Sequence, residues 1–258
     1  MKKVLFPLIG ALLMATPAIA NNLIQRSENI PHAPRLSTEQ LISAGAPENE
    51  ALKKMMNEPP QDTNELKGKS FAILATDGVE EIELTLPYQY LKARGARVEL
   101  ISPAYAPYPD KFGVQYPDIR KTHIKTVYFI ETAGWFKIDR FLDQAKPTDY
   151  DAVIVPGGAW NPDILRNTPE AVKFIQEAAA AGKVVGAICH GPQVLINAGL
   201  LKGKKATAYW NVHADLANAG ATVIDEPVIV DGKVITSRGP LDLPQFVGAV
   251  TSAVKASK

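Results

Sequence analysis

The chain has 258 residues, of which 46% are hydrophobic and 21% are charged, a globular composition that excludes wholesale disorder, fibrous repeats and a membrane protein with many spans. Its 28 Lys and Arg residues nearly balance 27 Asp and Glu residues, so no electrostatic feature indicates nucleic-acid binding. A single cysteine excludes an intrachain disulfide and any zinc or iron–sulfur site with several thiolate ligands from one chain.

Residues 1–20 have the layout of a secretory signal peptide. Two lysines precede the apolar run 4–14, and Ala18 and Ala20 supply the small side chains expected before a cleavage site. A membrane anchor is the alternative, but the apolar run is short for a membrane span. No cysteine stands directly after the run, so a lipid anchor is not expected. We therefore predict a periplasmic protein with no membrane attachment after cleavage.

Residues 21–67 differ in composition from the rest of the chain. They hold five prolines separated by polar residues, namely Pro31, Pro34, Pro47, Pro59 and Pro60. Weak helical patterns occur at 38–44, where Ser37 is a candidate cap, and at 48–56. The segment is predicted to be an extended arm that lies on the domain or on a partner subunit. A lid over a site is the alternative.

From residue 68 to the C-terminus at 258, apolar strand patterns alternate with helical patterns. The predicted strands are 70–75, 97–101, 152–155 and 183–188, and the predicted helices are 84–94, 168–181, 192–198 and 240–256. Strands separated by helices predict a parallel sheet with helices on both faces. Asp231-Gly232 separates two short apolar runs and predicts a hairpin. Residues 105–135, rich in Pro and aromatic residues, break the alternation and are predicted to be an insertion.

The strongest chemical signal is the sequence Gly-Ala-Ile-Cys-His-Gly-Pro at residues 186–192. Ala187 and Gly191 stand two residues on either side of Cys189, which is the spacing of a nucleophile elbow between a strand and a helix. Such a turn needs small neighbours and directs the amides of a helix N-terminus at the thiol, which favours the thiolate. The alternative is that Cys189 is a buried small hydrophobe.

This elbow and four other motifs, in the same order along the chain, resemble the ThiJ/PfpI family within the class I glutamine amidotransferase-like superfamily. The motifs are DGVEEIEL at 77–84, VPGG at 155–158, AICHGPQ at 187–193, NAGA at 218–221 and TSRGPLDLP at 236–244. The resemblance covers about residues 67–258 apart from the aromatic segment. A histidine directly after the cysteine, followed by Gly-Pro-Gln, is similar to the PfpI branch.

The resemblance implies a role for each matching residue. Cys189 matches the nucleophile, His190 its histidine partner, and Glu83 a carboxylate that hydrogen-bonds the thiol. The backbone amides of Gly158 and His190 match the oxyanion hole. Asp163 falls where PfpI-type proteins carry an acidic residue that completes a Cys-His-acid triad across a subunit interface. Relatives can carry the longer glutamate there. The side chain of Asp163 is shorter, and this departure from the pattern reduces its reach.

The residues themselves leave alternatives open. Consecutive residues on a tight turn need not face each other, so His190 can point away from the cysteine. Glu83 can equally be a solvated carboxylate beside Glu80 and Glu81. Trp160, just after the Gly-Gly turn, is predicted to be a pocket wall. No metal ligand set is identified.

We therefore predict a flavodoxin-like α/β domain that needs no cofactor and acts as a cysteine-dependent hydrolase of PfpI type. It would act on a C–N bond or a carbonyl adduct of a small molecule or peptide, as a peptidase, amidase or deglycase. One alternative is glyoxalase III-like conversion of reactive dicarbonyls. Another is a non-enzymatic role as an oxidative-stress sensor or chaperone. The family resemblance also predicts a homodimer or a larger assembly.

Overall fold

The structure is a computed structural model, and it describes residues 47–104 and 118–257. The predicted signal peptide, the arm up to residue 46 and residues 105–117 of the predicted insertion lie outside the described residues. The strands in chain order are β1 Ser70–Leu74, β2 Val79–Glu80, β3 Arg97–Ser102, β4 His123–Tyr128, β5 Glu131–Lys137, β6 Arg140–Phe141, β7 Ala152–Val155, β8 Val184–Ile188, β9 Lys205–Ala206, β10 Thr222–Val223, β11 Val228–Asp231 and β12 Val234–Ser237. The α-helices are α1 Pro47–Asn57, α2 Glu81–Ala93, α3 Trp160–Arg166, α4 Pro169–Ala180, α5 Pro192–Asn197, α6 His213–Asn218 and α7 Leu243–Ala256.

The central sheet has seven strands in the order β11-β12-β8-β7-β1-β3-β6. Neighbouring strands are parallel except for the β11–β12 hairpin, which turns at the predicted Asp231-Gly232. Every residue of β7 and β8 is buried, because helices cover both faces of the sheet. The predicted fold class, a mostly parallel sheet with helices on both faces, is confirmed.

The strand side chains alternate between two hydrophobic cores. Phe71 and Ile73 of β1 pack with residues of α1, α2 and α7, whereas Ala72 and Leu74 pack with residues of α3 to α6. This alternation follows from the period of two along a strand. The parallel strands end along one edge of the sheet, which is where open α/β sheets bind ligands.

Residues 47–57, in the segment predicted to be an extended arm, form a helix that packs against the domain. Helix α1 forms over nearly the range of the weak helical pattern at 48–56, and its Leu52 is 1% exposed. Met55, three residues later on the same helix face, also packs against the core. Leu66 is fully buried, and its amide donates to the carbonyl of Arg94 at 2.8 Å. These contacts join residues 52–66 to the core of the domain.

The described part of the predicted insertion forms a second, three-stranded sheet in the order β2-β4-β5. Strands β4 and β5 are an antiparallel hairpin, and β4 pairs in parallel with β2, the two residues that precede α2. The hairpin turn exposes Phe129 and Ile130, and Phe129 has a φ of 54°. The hairpin thus lies beside β2 and the start of α2, which carry the glutamates of residues 80–83. Within the described ranges, we find no helix with the length and apolar character needed to cross a membrane.

Candidate active site

The cysteine lies at a sharp turn between β8 and α5. Cys189 has a φ of 61°, a backbone conformation that costs a residue with a side chain of order 1 kcal/mol or more. Its amide donates to the carbonyl of Ser237 at 3.0 Å, and its carbonyl accepts from the Tyr209 amide at 2.8 Å. A Cβ atom on Gly191 would lie 2.3 Å from the Val155 carbonyl oxygen, so the position needs glycine. The turn has the geometry of the predicted nucleophile elbow.

Two backbone amides reach the sulfur of Cys189. The amides of Gly158 and His190 both hydrogen-bond to the thiol and act to lower its pKa. Gly158 follows β7 with a φ of 81°, and a Cβ atom there would lie 2.2 Å from the Gly78 carbonyl oxygen. The structure therefore brings together the two donors that the family resemblance implied, in a position to stabilise an oxyanion next to the sulfur.

Glu83 is fully buried in the first turn of α2. Its Oε2 accepts a hydrogen bond from the Gly157 amide at 2.7 Å. Burial raises the pKa of Glu83 to about 8, the charge of Glu80 acts in the same direction, and the Gly157 amide and Cys189 thiol oppose them. Glu83 is therefore mostly protonated at neutral pH. Its Oε1 is buried and has no hydrogen-bond partner among the described residues, so this oxygen can carry the proton. The solvated-carboxylate alternative is wrong.

The structure contradicts the expectation that the thiol pKa is lowered. Burial raises the pKa of Cys189, and the neighbouring charges of Glu83 and Glu80 add to this effect. The two amides at the sulfur act in the opposite direction but do not outweigh burial. The sequence indicates a helix N-terminus beside the sulfur, but not how completely the thiol is removed from water. When Glu83 is protonated, its contribution disappears, which favours the thiolate.

His190 faces the cysteine instead of pointing away. Its Nδ1 lies 3.3 Å from Cys189 Sγ, and its ring stacks on Tyr209 with centroids 4.9 Å apart. Burial lowers the pKa of His190, so the imidazole is neutral at neutral pH. A neutral ring can accept the thiol proton, whereas a resting imidazolium–thiolate pair is not favoured.

The glutamates at positions 80, 81 and 83 have different environments. Glu80 is buried, and its Oε2 accepts from the Phe129 amide at 2.9 Å; burial raises its pKa to about 7. Glu81 accepts from the Thr126 hydroxyl at 2.6 Å. Among these three, only Glu83 contacts the Gly157 amide. Glu80 is a second buried acid near the thiol that sequence reasoning did not assign to the site, although the run of carboxylates was visible.

Asp163 and Trp160 both lie in α3, the helix that follows the Gly-Gly turn. The Asp163 carboxylate is exposed and pairs with Arg166 at 2.6 Å on the same helix. Trp160 is 64% exposed, and its Cβ would be only 2.3 Å from a Cβ atom built on Gly78. The structure thus places Asp163 within a helix. Its role across a subunit interface stays a prediction, as does that of Trp160 as a pocket wall.

Gly157 is a site residue that sequence reasoning did not single out. A Cβ atom there would lie 2.6 Å from Cys189 Cβ, 2.8 Å from Glu83 Oε2 and 2.8 Å from the His190 nitrogen. The position is thus where the three predicted site residues converge, and no side chain fits. The Gly-Gly pair was the available signal. Across residues 47–104 and 118–257, no group of three or more His, Cys, Asp or Glu side chains is placed to hold a metal ion.

Comparison with known proteins identifies relatives over the same region. Residues 69–253 match the DJ-1/PfpI family. Deglycase PfpI of Pyrococcus furiosus is 35% identical over 170 residues, which cover 66% of this chain and 90% of the relative. Protein/nucleic acid deglycase 2 of Escherichia coli is 36% identical over 179 residues, covering 69% and 93%.

Solved structures agree with this assignment. A two-domain protein of Anabaena variabilis that contains DJ-1/ThiJ/PfpI-like and ferritin-like domains is 36% identical, with a TM-score of 0.61. The match covers 72% of this chain and 48% of that protein. The extent and identity of these matches show that the chain belongs to the DJ-1/PfpI family.

Proposed function

We propose that this protein is a cysteine-dependent hydrolase of PfpI type that cleaves a carbon–nitrogen bond, with Cys189 as the nucleophile. The observation that carries the proposal is the convergence of the thiol, the Gly158 and His190 amides, the His190 imidazole and the buried Glu83 at the edge of the sheet. These groups supply a nucleophile, oxyanion donors, a proton acceptor and a proton donor.

The reaction begins with transfer of the Cys189 proton to neutral His190 as the sulfur attacks the carbon that bears the nitrogen. A carbon–sulfur bond forms, and the Gly158 and His190 amides stabilise negative charge on the oxygen of that carbon. The carbon–nitrogen bond then breaks, and the amine leaves with the proton held by the imidazolium. Water next displaces the sulfur, one of its protons returns to the thiolate, and the sum is hydrolysis.

Glu83 assists as a neutral acid. Because its Oε2 is engaged by the Gly157 amide, the proton on Oε1 is directed away from that contact. Donation of this proton to the substrate oxygen would stabilise negative charge that develops there. Ionisation of Glu83 above its pKa of about 8 would remove this assistance.

The substrate class that best fits the relatives is an adduct of a reactive carbonyl compound on an amino group. Two of the relatives described above are named deglycases, at 35% and 36% identity. In such an adduct one carbon bears both a hydroxyl and the nitrogen. The sulfur replaces the nitrogen at this carbon, the Gly158 and His190 amides bind the hydroxyl oxygen, and the free amine leaves with the proton held by His190. The export and the homodimer predicted from the sequence remain part of this proposal.

The test uses N-acetyl-lysine that has been pre-reacted with methylglyoxal. The wild-type protein is expected to release the free amine faster than the adduct dissociates spontaneously, with one methylglyoxal for each amine. The Cys189→Ser variant, in which the thiol is replaced by a poorer nucleophile, is expected to lose this activity. Glu226→Gln, an exposed carboxylate outside the site, is the matched surface control.

Other results of this assay would support one of the alternative functions. Amine release that never exceeds spontaneous dissociation, together with lactate formation from free methylglyoxal, would replace the proposal by glyoxalase III-like activity. Cleavage of unmodified peptide bonds alone would identify a peptidase. No turnover of any of these substrates by a folded protein would favour the stress-sensor or chaperone alternative.

A further inference from the structure

Asn161 is a fully buried polar residue of α3 to which the mechanism assigns no role. Its Nδ2 donates to the carbonyl oxygens of Pro156 at 2.8 Å and Gly157 at 3.1 Å. Its Oδ1 accepts from the Thr76 amide at 2.7 Å, at the end of β1. The Thr76 amide can bond only to the oxygen, so the side-chain NH₂ group must face the two carbonyls.

These two carbonyls belong to the peptide groups whose amides serve the site. A trans peptide is planar, and its carbonyl and amide point in opposite directions. The Pro156 carbonyl is therefore opposite the Gly157 amide, which donates to Glu83. In the next peptide, the Gly157 carbonyl is opposite the Gly158 amide, which donates to the sulfur of Cys189.

We propose that Asn161 is a positioning residue of this site: by holding the carbonyls of Pro156 and Gly157, it aims one amide at Glu83 and the next at Cys189. The two consecutive peptides serve two different partners, and a single side chain sets both orientations. Asn161 also joins this loop to the end of β1, from which the chain continues to Glu83.

The orientation of these two peptides needs a constraint from outside the loop, because glycine residues restrict the rotation of their own backbone very little. Gly157 and Gly158 lack the Cβ atom that restricts backbone rotation in other residues. Apart from Asn161, the Gly157 carbonyl receives a longer bond from the Glu80 amide at 3.3 Å. Without Asn161, rotation of the Gly157–Gly158 peptide would move the Gly158 amide away from the sulfur. The thiol would then lose one of the two donors that lower its pKa.

The test compares alkylation of Cys189 in the wild-type protein and in the Asn161→Ala variant between pH 6 and pH 10. Iodoacetamide labels the only cysteine in the chain, so mass spectrometry reports a single site. We expect alkylation at pH 8 to slow about tenfold or more, because a hydrogen bond to the thiolate is lost, and the pH profile to move upward. Asn197→Ala is the matched control, since that exposed amide donates to the Arg166 carbonyl outside the site.

A second variant covers the possibility that Asn161→Ala does not fold. The Asn161→Ser hydroxyl can bond only one of the two carbonyls, and an intermediate alkylation rate is expected. Scalar couplings through the hydrogen bonds from Asn161 Nδ2 to both carbonyls can also be measured in the wild-type protein. Wild-type or faster alkylation by a folded variant, or no coupling to either carbonyl, would overturn the proposal.

The catalytic consequence rests on the proposed function, whereas the alkylation test does not. If the protein releases amine from the adduct, then Asn161→Ala is expected to lower kcat with little change in KM, because the oxyanion donor acts in the transition state. Altered alkylation without any turnover in the wild type would reject the proposed function and retain the positioning role.

Discussion

Replacing Glu83 by glutamine is expected to change how the stability of the protein depends on pH. Burial raises the pKa of Glu83 from 4.5 to about 8, so the folded state binds this proton more tightly than the unfolded state. The contribution of protonated Glu83 to the free energy of unfolding is fully present below pH 4.5 and is lost as the pH rises toward 8. Each pH unit in this window is worth about 1.4 kcal/mol, so wild type should lose about 4 kcal/mol between pH 5 and pH 8 through this group.

Glutamine is nearly isosteric, can accept from the Gly157 amide and does not titrate. It also places an amide NH₂ group where Oε1 has no partner, which costs about 1–3 kcal/mol at every pH. That cost cancels when the mutational change at pH 8 is compared with the change at pH 5. The contribution of Glu80, whose pKa is raised to about 7, is largely common to both proteins.

The assay is urea unfolding followed by far-UV circular dichroism at pH 5, 6, 7 and 8. The Glu83→Gln variant should gain stability relative to the wild type as the pH rises, by a total approaching 4 kcal/mol. Glu226→Gln, which removes an exposed carboxylate, should show a small change. A Glu83→Gln effect that does not vary with pH would refute the assignment of Glu83 as a buried neutral acid.

Leu52→Ala, which empties a buried position of α1, should lower the unfolding free energy by about 2–5 kcal/mol in urea unfolding; a change below about 0.5 kcal/mol would show that α1 is not docked in solution. Gly157→Ala should abolish amine release and disturb Cys189 alkylation, because its Cβ would lie 2.6 Å from Cys189 Cβ; activity at the wild-type level would contradict this packing. If Asp163 acts across a subunit interface, inactive Cys189→Ala and Asp163→Ala chains should recover some activity when reassembled together, and proven hybrids without activity would reject the shared site. Expression in a Gram-negative host should yield a periplasmic protein beginning at residue 21 by N-terminal sequencing, and an uncleaved cytoplasmic product would contradict the export prediction.

Much of the fold was determined by local patterns in the sequence. The apolar runs at β1, β7 and β8 each end at a polar or glycine-rich turn, and the run at β3 ends at a proline. The structure reproduces these four strands within two residues at either end. Backbone constraints were equally visible. Glycine at 158 and 191 marks close approaches that no other residue permits. Spacing therefore predicted the elbow, and the family resemblance implied that the Gly-Gly loop faces it.

The tertiary structure decided the electrostatics of the site. Three adjacent glutamates are equivalent in the sequence, and only packing places Glu83 in full burial against Gly157. The same burial overturned the expected thiol pKa, because removal from water outweighs the amides at the sulfur. Asn161 had no sequence signal, since its role depends on peptides brought together from two strands. Local patterns in the sequence specify the backbone turns of the site. The protonation states of Glu83 and Cys189 instead depend on burial and on neighbouring charges, which arise only when distant segments pack together.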